Sequence, residues 1–204
     1  MIAAAIIAGG AGTRMGGAIK AGLEVDGRSI AARQLEVLRR EFERVVVVAN
    51  EPGPWGPLGV EVHADIFRGA GPLAGIHAAL AATTDAAGVV CVGGDMPFLE
   101  PALLALLRDH APEADAVVPR VDGFPQPLLA RYDARCLPVI EARLRAGARV
   151  VHELFAAVVT AWLDEPALRA VDPASRSFTN VNTPDDLARV RRHEGEGGEG
   201  GAGA

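Results

Sequence analysis

Aromatic side chains are scarce in this chain: of 204 residues six are Phe, two Trp and one Tyr, together 4%. A core must therefore be built from Ala, Val, Leu and Ile, within a hydrophobic share of 50%. That is the composition of buried parallel strands packed between helices. Trp55 and Trp162 stand alone and make no stacking platform. Cysteine is scarcer still. Cys91 and Cys136 lie in apolar contexts without Cys/His spacing for zinc, so both read as reduced core thiols, which suits a cytosol. Positive charge is not in excess, and a formal net charge of −6 argues against the basic surface that nucleic acid requires. No apolar run approaches the ~18 residues that span a bilayer. The apolar stretch 2–8 is short and has no basic n-region, so it does not read as a secretory signal. The five histidines (63, 77, 110, 152 and 193) show no ligand spacing. A soluble, cytoplasmic protein with neither nucleic-acid nor membrane partner is expected.

What the chain does have is alternation. Apolar runs at 2–8, 45–49, 60–64, 89–92, 116–119, 128–132 and 158–163 read as strands, the four consecutive valines from Val45 as one buried on both faces. Helical patterns lie between them at 30–42, 76–83, 101–110 and 135–145, with Ser29 as N-cap of the first and Pro101 at the first position of the third. Residues 151–155 read as helical and 52–57 as a Pro/Gly loop. Such alternation predicts a three-layer α/β/α fold with a mostly parallel central sheet. One domain over 1–193 is expected, large enough to bury roughly 70% of its unfolded surface. Thr183-Pro184-Asp185-Asp186 is a helix start with hydroxyl cap, N1 proline and acids at the positive dipole end. Residues 194–204 are a Gly/Glu tail without large apolar groups, expected to be disordered. Truncation after His193 should then leave melting temperature and turnover unchanged. A drop of several degrees would show that the tail docks.

Function is most legible in residues 6–20, Ile-Ile-Ala-Gly-Gly-Ala-Gly-Thr-Arg-Met-Gly-Gly-Ala-Ile-Lys. Glycines after a buried strand let backbone N–H groups face an anion without interference from Cβ. Arg14 and Lys20 add local positive charge, so a polyphosphate is the natural guest. The run from Gly10 to Gly16 is one residue too long for a dinucleotide fingerprint, and Ala18 stands where a P-loop needs lysine. Residues 9–20, Asn50, Asp65 and Asp95 all follow expected strand ends, which in open α/β sheets is where ligands bind.

Ala8-Gly9-Gly10, Arg14-Met15-Gly16 and Lys20 resemble the signature of nucleotidylyltransferases with a glycosyltransferase-A-like fold, and within them the molybdenum cofactor guanylyltransferases. Asn50, Asp65, Gly71-Pro72-Leu73-Ala74-Gly75, Asp95-Met96-Pro97, Gln126-Pro127 and Asn180-Val181-Asn182-Thr183-Pro184 resemble further family motifs, in family order over residues 2–190. Ile7 replaces a leucine, Ile19 stands where the family carries an acid beside the lysine, and Gly22 falls at a leucine-rich position.

The resemblance implies transfer of GMP from GTP to the terminal phosphate of molybdenum-molybdopterin, with release of pyrophosphate. It gives catalytic roles to Arg14, Lys20 and Asp95, and Mg²⁺ as cofactor on Asp95. Nucleotide contacts are implied for Ala8, Gly9, Gly10, Lys20, Asn50, Asp65, Gly71 and Asp95, and substrate or metal contacts for Gln126, Asn180 and Asn182. Read from the residues alone, Asp65 is equally a solvated loop carboxylate, and Asn50, Asn180 and Asn182 are equally turn residues. Arg131, Arg143, Arg145 and Arg149 are either contacts to the pterin's phosphate or a solvated basic face. Transient partners would be other cofactor-biosynthesis proteins or apo-molybdoenzymes. A cytidylyltransferase for the same cofactor more often carries Ala-Ala-Gly in the first loop and lacks Gly-Pro-Leu-Ala-Gly. A sugar-phosphate nucleotidylyltransferase is usually longer. A non-catalytic nucleotide-binding module would be favoured by loss of Asp95 or of the two cations, all of which are present.

Overall fold

The computed structural model describes residues 1–8, 14–15, 18–25, 27–51, 53–181 and 186, with only the backbone path of 14–15 and 18–20. Gly9, Gly10, Asn182, the Thr183-Pro184 helix start and the 194–204 tail lie outside the described residues.

Strands β1 (Ile2–Ile7), β6 (Val45–Val48), β7 (Glu61–His63) and β8 (Gly88–Gly93) run parallel in the order β8-β1-β6-β7. Between β1 and β6 lie two ribbons of two-residue strands, β2 (Arg14–Met15) with β3 (Ala18–Ile19) and β4 (Glu24–Val25) with β5 (Arg28–Ser29). Beyond β8 the sheet continues through β11 (Leu129–Asp133), antiparallel to both neighbours, to β9 (Ala116–Val121). β10 (Phe124–Pro125) folds back on β9, and β12 (Thr160–Leu163) pairs with β9 in parallel. The helices are α1 (Ile30–Glu41), α2 (Pro72–Ala82), α3 (Pro101–Asp109), α4 (Cys136–Arg145) and α5 (Glu165–Val171).

Two cores flank the sheet because successive strand residues face opposite sides. Ala3, Ala5 and Ile7 of β1 pack with α2 and α4, whereas Ala4 and Ile6 pack with α1, α3 and α5. The expected three layers are therefore present. Small residues set how close the layers come. A Cβ on Gly75 would lie 2.5 Å from Cγ2 of Ile7, so only glycine lets α2 approach the end of β1 this closely.

Ser29 caps α1 as expected, accepting the Ala32 N–H at 3.2 Å. Several boundaries differ from the sequence reading. α2 begins at Pro72 rather than residue 76, because proline at N1 follows Gly71, whose φ of 71° and ψ of −159° need glycine. Residues 53–58 form a short 3-10 helix rather than a loop, which seats Trp55 in the core. Residues 151–156 are also 3-10. α5 has no counterpart among the expected elements, since Leu168 is its only buried residue and a seven-residue segment shows no period.

Cys91 and Cys136 are free and buried, and burial pushes the Cys136 thiol up to about 12 and Cys91 higher still. No helix among the described residues is long and apolar enough to cross a membrane.

Candidate active site

The ends of β7, β6, β1 and β8 form one edge, and the backbone just past each strand stays laced to its neighbour. Ala8 N–H donates to Val48 O at 2.8 Å, Ala49 N–H to His63 O at 2.8 Å, and Gly94 N–H to Ile7 O at 3.0 Å. Ala8, Asn50, Asp65 and Asp95 thus leave the sheet side by side, although they span 87 residues of sequence. Lys20 opens a one-turn 3-10 helix after the β2–β3 ribbon.

Asn50 and Asp65 form a reciprocal pair across the ends of β6 and β7. Asn50 Nδ2 donates to Asp65 Oδ2 at 3.0 Å, and the Asp65 N–H donates to Asn50 Oδ1 at 3.1 Å. Asp65 is 8% exposed, and its Oδ1 is buried with no hydrogen-bond partner among the described residues. A buried carboxylate oxygen without a donor is costly, so this one is poised to accept. The solvated-loop reading of Asp65 does not fit this burial.

Asp95 sits in a turn held from every side. Gly93 N–H donates to Leu128 O at 2.6 Å, Met96 N–H closes the turn on Gly93 O at 3.2 Å, and Val181 N–H donates to Asp95 O at 2.8 Å. The carboxylate is half-buried and curls back over the strand end: its Oδ1 lies 3.0 Å from where a Cβ on Gly93 would stand. A residue not singled out in the sequence completes the turn. Gln34 of α1, 0% exposed, donates Nε2 to Gly93 O at 2.7 Å and to Met96 O at 2.9 Å. The signal was there, since Gln34 interrupts the buried stripe of Ile30, Ala31, Leu35 and Leu38.

The bond from Val181 puts exposed Asn180 next to the Asp95 turn, and Val181 packs with Val25 and Ile30. Gln126 reaches the same edge because β11 runs backwards, so its start lies beside the end of β8. Its Nε2 donates to Phe124 O at 3.2 Å, within the β9–β10 hairpin. Gly71 is exposed at the start of α2, in the segment that leads on from Asp65.

The four arginines part company. Arg131 is 3% exposed and donates to the carbonyls of Arg108 (3.0 Å), His110 (2.8 Å), Ala111 (2.7 Å) and Ala114 (3.3 Å), closing the C-terminal end of α3. It is a structural cap and neither a phosphate ligand nor part of a solvated face. Arg143 pairs with Glu153, Arg145 with Glu141, and Arg149 reaches Gly69 O. His77 is buried against Phe67, and desolvation holds its pKa below the ordinary value. Trp162 is not isolated: the Arg120 guanidinium lies 3.7 Å from its ring centroid.

An open, mainly parallel sheet between two helical layers, with a glycine-rich sequence after its first strand and carboxylates along its carboxyl edge, defines a nucleotide-binding α/β fold. The MobA-like NTP transferase domain family matches residues 4–162, and the chain belongs to that family. A probable molybdenum cofactor guanylyltransferase of Pelotomaculum thermopropionicum is 38% identical, covering 91% of this chain and 90% of its own. The molybdenum cofactor guanylyltransferase of Desulfosudis oleivorans is 34% identical, over 91% and 92% respectively. Among solved structures, molybdopterin-guanine dinucleotide biosynthesis protein A of Archaeoglobus fulgidus superposes with a TM-score of 0.80 at 29% identity, covering 96% of this chain and all of its own.

Proposed function

We propose that the protein transfers GMP from GTP to the terminal phosphate of molybdenum-molybdopterin, giving the guanine dinucleotide cofactor and pyrophosphate. The observation that carries this reading is the meeting of Ala8, the Asn50–Asp65 pair and the clamped Asp95 turn at one sheet edge. The names of relatives that match over nine-tenths of the chain support the choice of nucleotide and acceptor.

An oxygen of the acceptor's phosphate attacks the α-phosphorus, a new O–P bond forms, and the bond to the bridging oxygen breaks as pyrophosphate leaves. A phosphate monoester with a second pKa near 6 is mostly dianionic at pH 7, so no side chain need take its proton. The protein's task is to bring two anions together and to steady the leaving group. Backbone amides of Gly9 and Gly10, with Arg14 and Lys20, hold the triphosphate in this reading. Asp65 Oδ1 accepts from the nucleotide, with Asn50 fixing the carboxylate, and Asn180, Asn182 and Gln126 are assigned to the acceptor in the same reading.

Among the described residues no group of three or more His, Cys, Asp or Glu could hold a metal ion. The Asp95 carboxylate fits Mg²⁺, which commonly takes one or two carboxylates and completes its shell with phosphate oxygens and water. Asp95 is the residue that would hold it, a hard oxygen ligand on a fixed turn at the edge. When bound, the ion neutralises charge that builds on the phosphates. Two buried free thiols accord with a reducing, cytoplasmic setting.

Titrating GTP, CTP and ATP by calorimetry with Mg²⁺ tests the nucleotide. GTP should bind most tightly, and equal or tighter binding of CTP would move the protein to the cytidylyltransferase branch.

A further inference from the structure

We infer that Gln34 is a positioning residue for the Asp95 carboxylate, acting across the helix–sheet interface to fix the turn through which the protein engages metal-bound nucleotide. The inference rests on the reading of Asp95 given above. Gln34 lies 59 residues from Gly93 and 62 from Met96 in sequence, yet its single amide nitrogen bridges both carbonyls. Those carbonyls stand on either side of Gly94 and Asp95, so the bridge sets the width of the turn that carries the carboxylate.

Backbone bonds tie the turn to Leu128, just before β11, to Ile7 of β1 and to Val181 of the C-terminal segment. Gln34 is the side chain, among the described residues, that donates to the turn's carbonyls, and it anchors the turn to the middle of α1. Among the described residues Met96 O is met by no backbone donor in the turns and loops, and this amide is its donor at 2.9 Å. A turn fastened on four sides holds its carboxylate at a set height above the strand end. With one fastening removed, Gly94, which lacks a side chain to limit its backbone, gives the turn freedom to shift.

Stability alone does not account for the choice of side chain. The Gln34 Oε1 is buried with no hydrogen-bond partner among the described residues, and a buried acceptor without a donor is destabilising. Ile30, Ala31, Leu35 and Leu38 show that the surrounding face of α1 is otherwise apolar. The amide is retained at a cost, in return for two bonds to the one turn that bears Asp95.

The test compares the intact chain with Gln34→Met, which keeps length and volume and removes both donors, and with Asp95→Ala. GTP affinity is measured by calorimetry with EDTA and with Mg²⁺, alongside kcat and KM for GTP. Residues that support a metal ligand from behind typically contribute 10–100-fold to metal affinity or activity. For Gln34→Met the half-saturating Mg²⁺ concentration should rise about 10-fold or more, with a comparable fall in kcat. GTP affinity in EDTA should stay as in the parent. Should Gln34→Met fold poorly, Gln34→Asn, whose amide falls a methylene short of both carbonyls, gives the same comparison. A variant that loses only melting temperature, with Mg²⁺ dependence and kcat unchanged, overturns the inference and leaves Gln34 as a filler of buried carbonyls. If Asp95→Ala itself keeps Mg²⁺-dependent activity, the reading of the site fails, and the inference with it.

Discussion

Asp95→Ala is expected to abolish turnover while leaving the fold and part of GTP binding intact. The turn that carries Asp95 is closed by backbone bonds from Leu128, Ile7 and Val181 and by the Gln34 amide, none of which uses the Asp95 side chain. Removing the carboxylate therefore deletes a charge and leaves those bonds in place. Loss of one preorganised group that stabilises developing charge commonly costs about 10²–10³ in rate, or roughly 3–4 kcal/mol. A residue that holds the metal should cost at least that much. Pyrophosphate release at saturating GTP and Mg²⁺ measures the loss, and calorimetry in EDTA measures what remains of binding through the first loop. Near-normal Mg²⁺-dependent activity in the variant would place the metal on other carboxylates.

The second large effect is on stability and lies away from the chemistry. Arg131→Met should lower the melting temperature markedly while leaving GTP affinity at permissive temperature unchanged. The guanidinium is 3% exposed and meets four carbonyls at 2.7–3.3 Å, two of them, those of Arg108 and His110, where the end of α3 leaves oxygens without a helical partner. Burial holds its pKa below the usual arginine value, partly offset by Asp133 and Glu113, yet arginine stays charged at any working pH. Methionine fills the volume and takes this donor from the Arg108, His110 and Ala114 carbonyls, while Ala111 O keeps the Ala114 N–H at 3.0 Å. At about 1–3 kcal/mol for each that water cannot reach, a loss of about 3 kcal/mol is expected. For a chain of this size that corresponds to a fall of roughly 6–12 °C. A shift under about 2 °C would mean that water reaches those carbonyls and that the cap is dispensable. A change in GTP affinity would return Arg131 to the list of ligand contacts.

Much of the fold could be read in advance because its signals are local. A valine run buried on both faces can be little other than an inner strand, Ser29 followed by apolar periodicity starts a helix, and Pro101 opens another. What escaped was short or lacked period. The two-residue ribbons at 24–29 and the seven-residue α5, with one buried leucine, carry no pattern that sequence alone could weigh. α2 starts one turn before the expected residue 76, because the apolar period is clear only from there while the helix opens at the Gly71-Pro72 step. Proline in fact occupies N1.

The site divides in the same way. The sequence by itself determined which residues follow strand ends, since that depends only on where apolar runs stop and glycine or carboxylate begins. Residues 9–20, Asn50, Asp65 and Asp95 are identifiable on that ground. Only the tertiary structure decided which of them meet. Parallel neighbours β6 and β7 bring Asn50 to Asp65 and bury the carboxylate, although nothing in either segment names the other. The reversal of β11 puts residues 126–128 beside the end of β8, a matter of strand direction that composition does not encode. Arg131, expected as a phosphate contact or part of a solvated face, is a buried cap, because its strand is central and its side chain faces α3. Gln34 gained its partners from residues about sixty positions away. Local signals come from propensity and burial period, which neighbouring residues carry. Partner choice comes from packing between segments far apart in the chain, and that exists only once the sheet has formed.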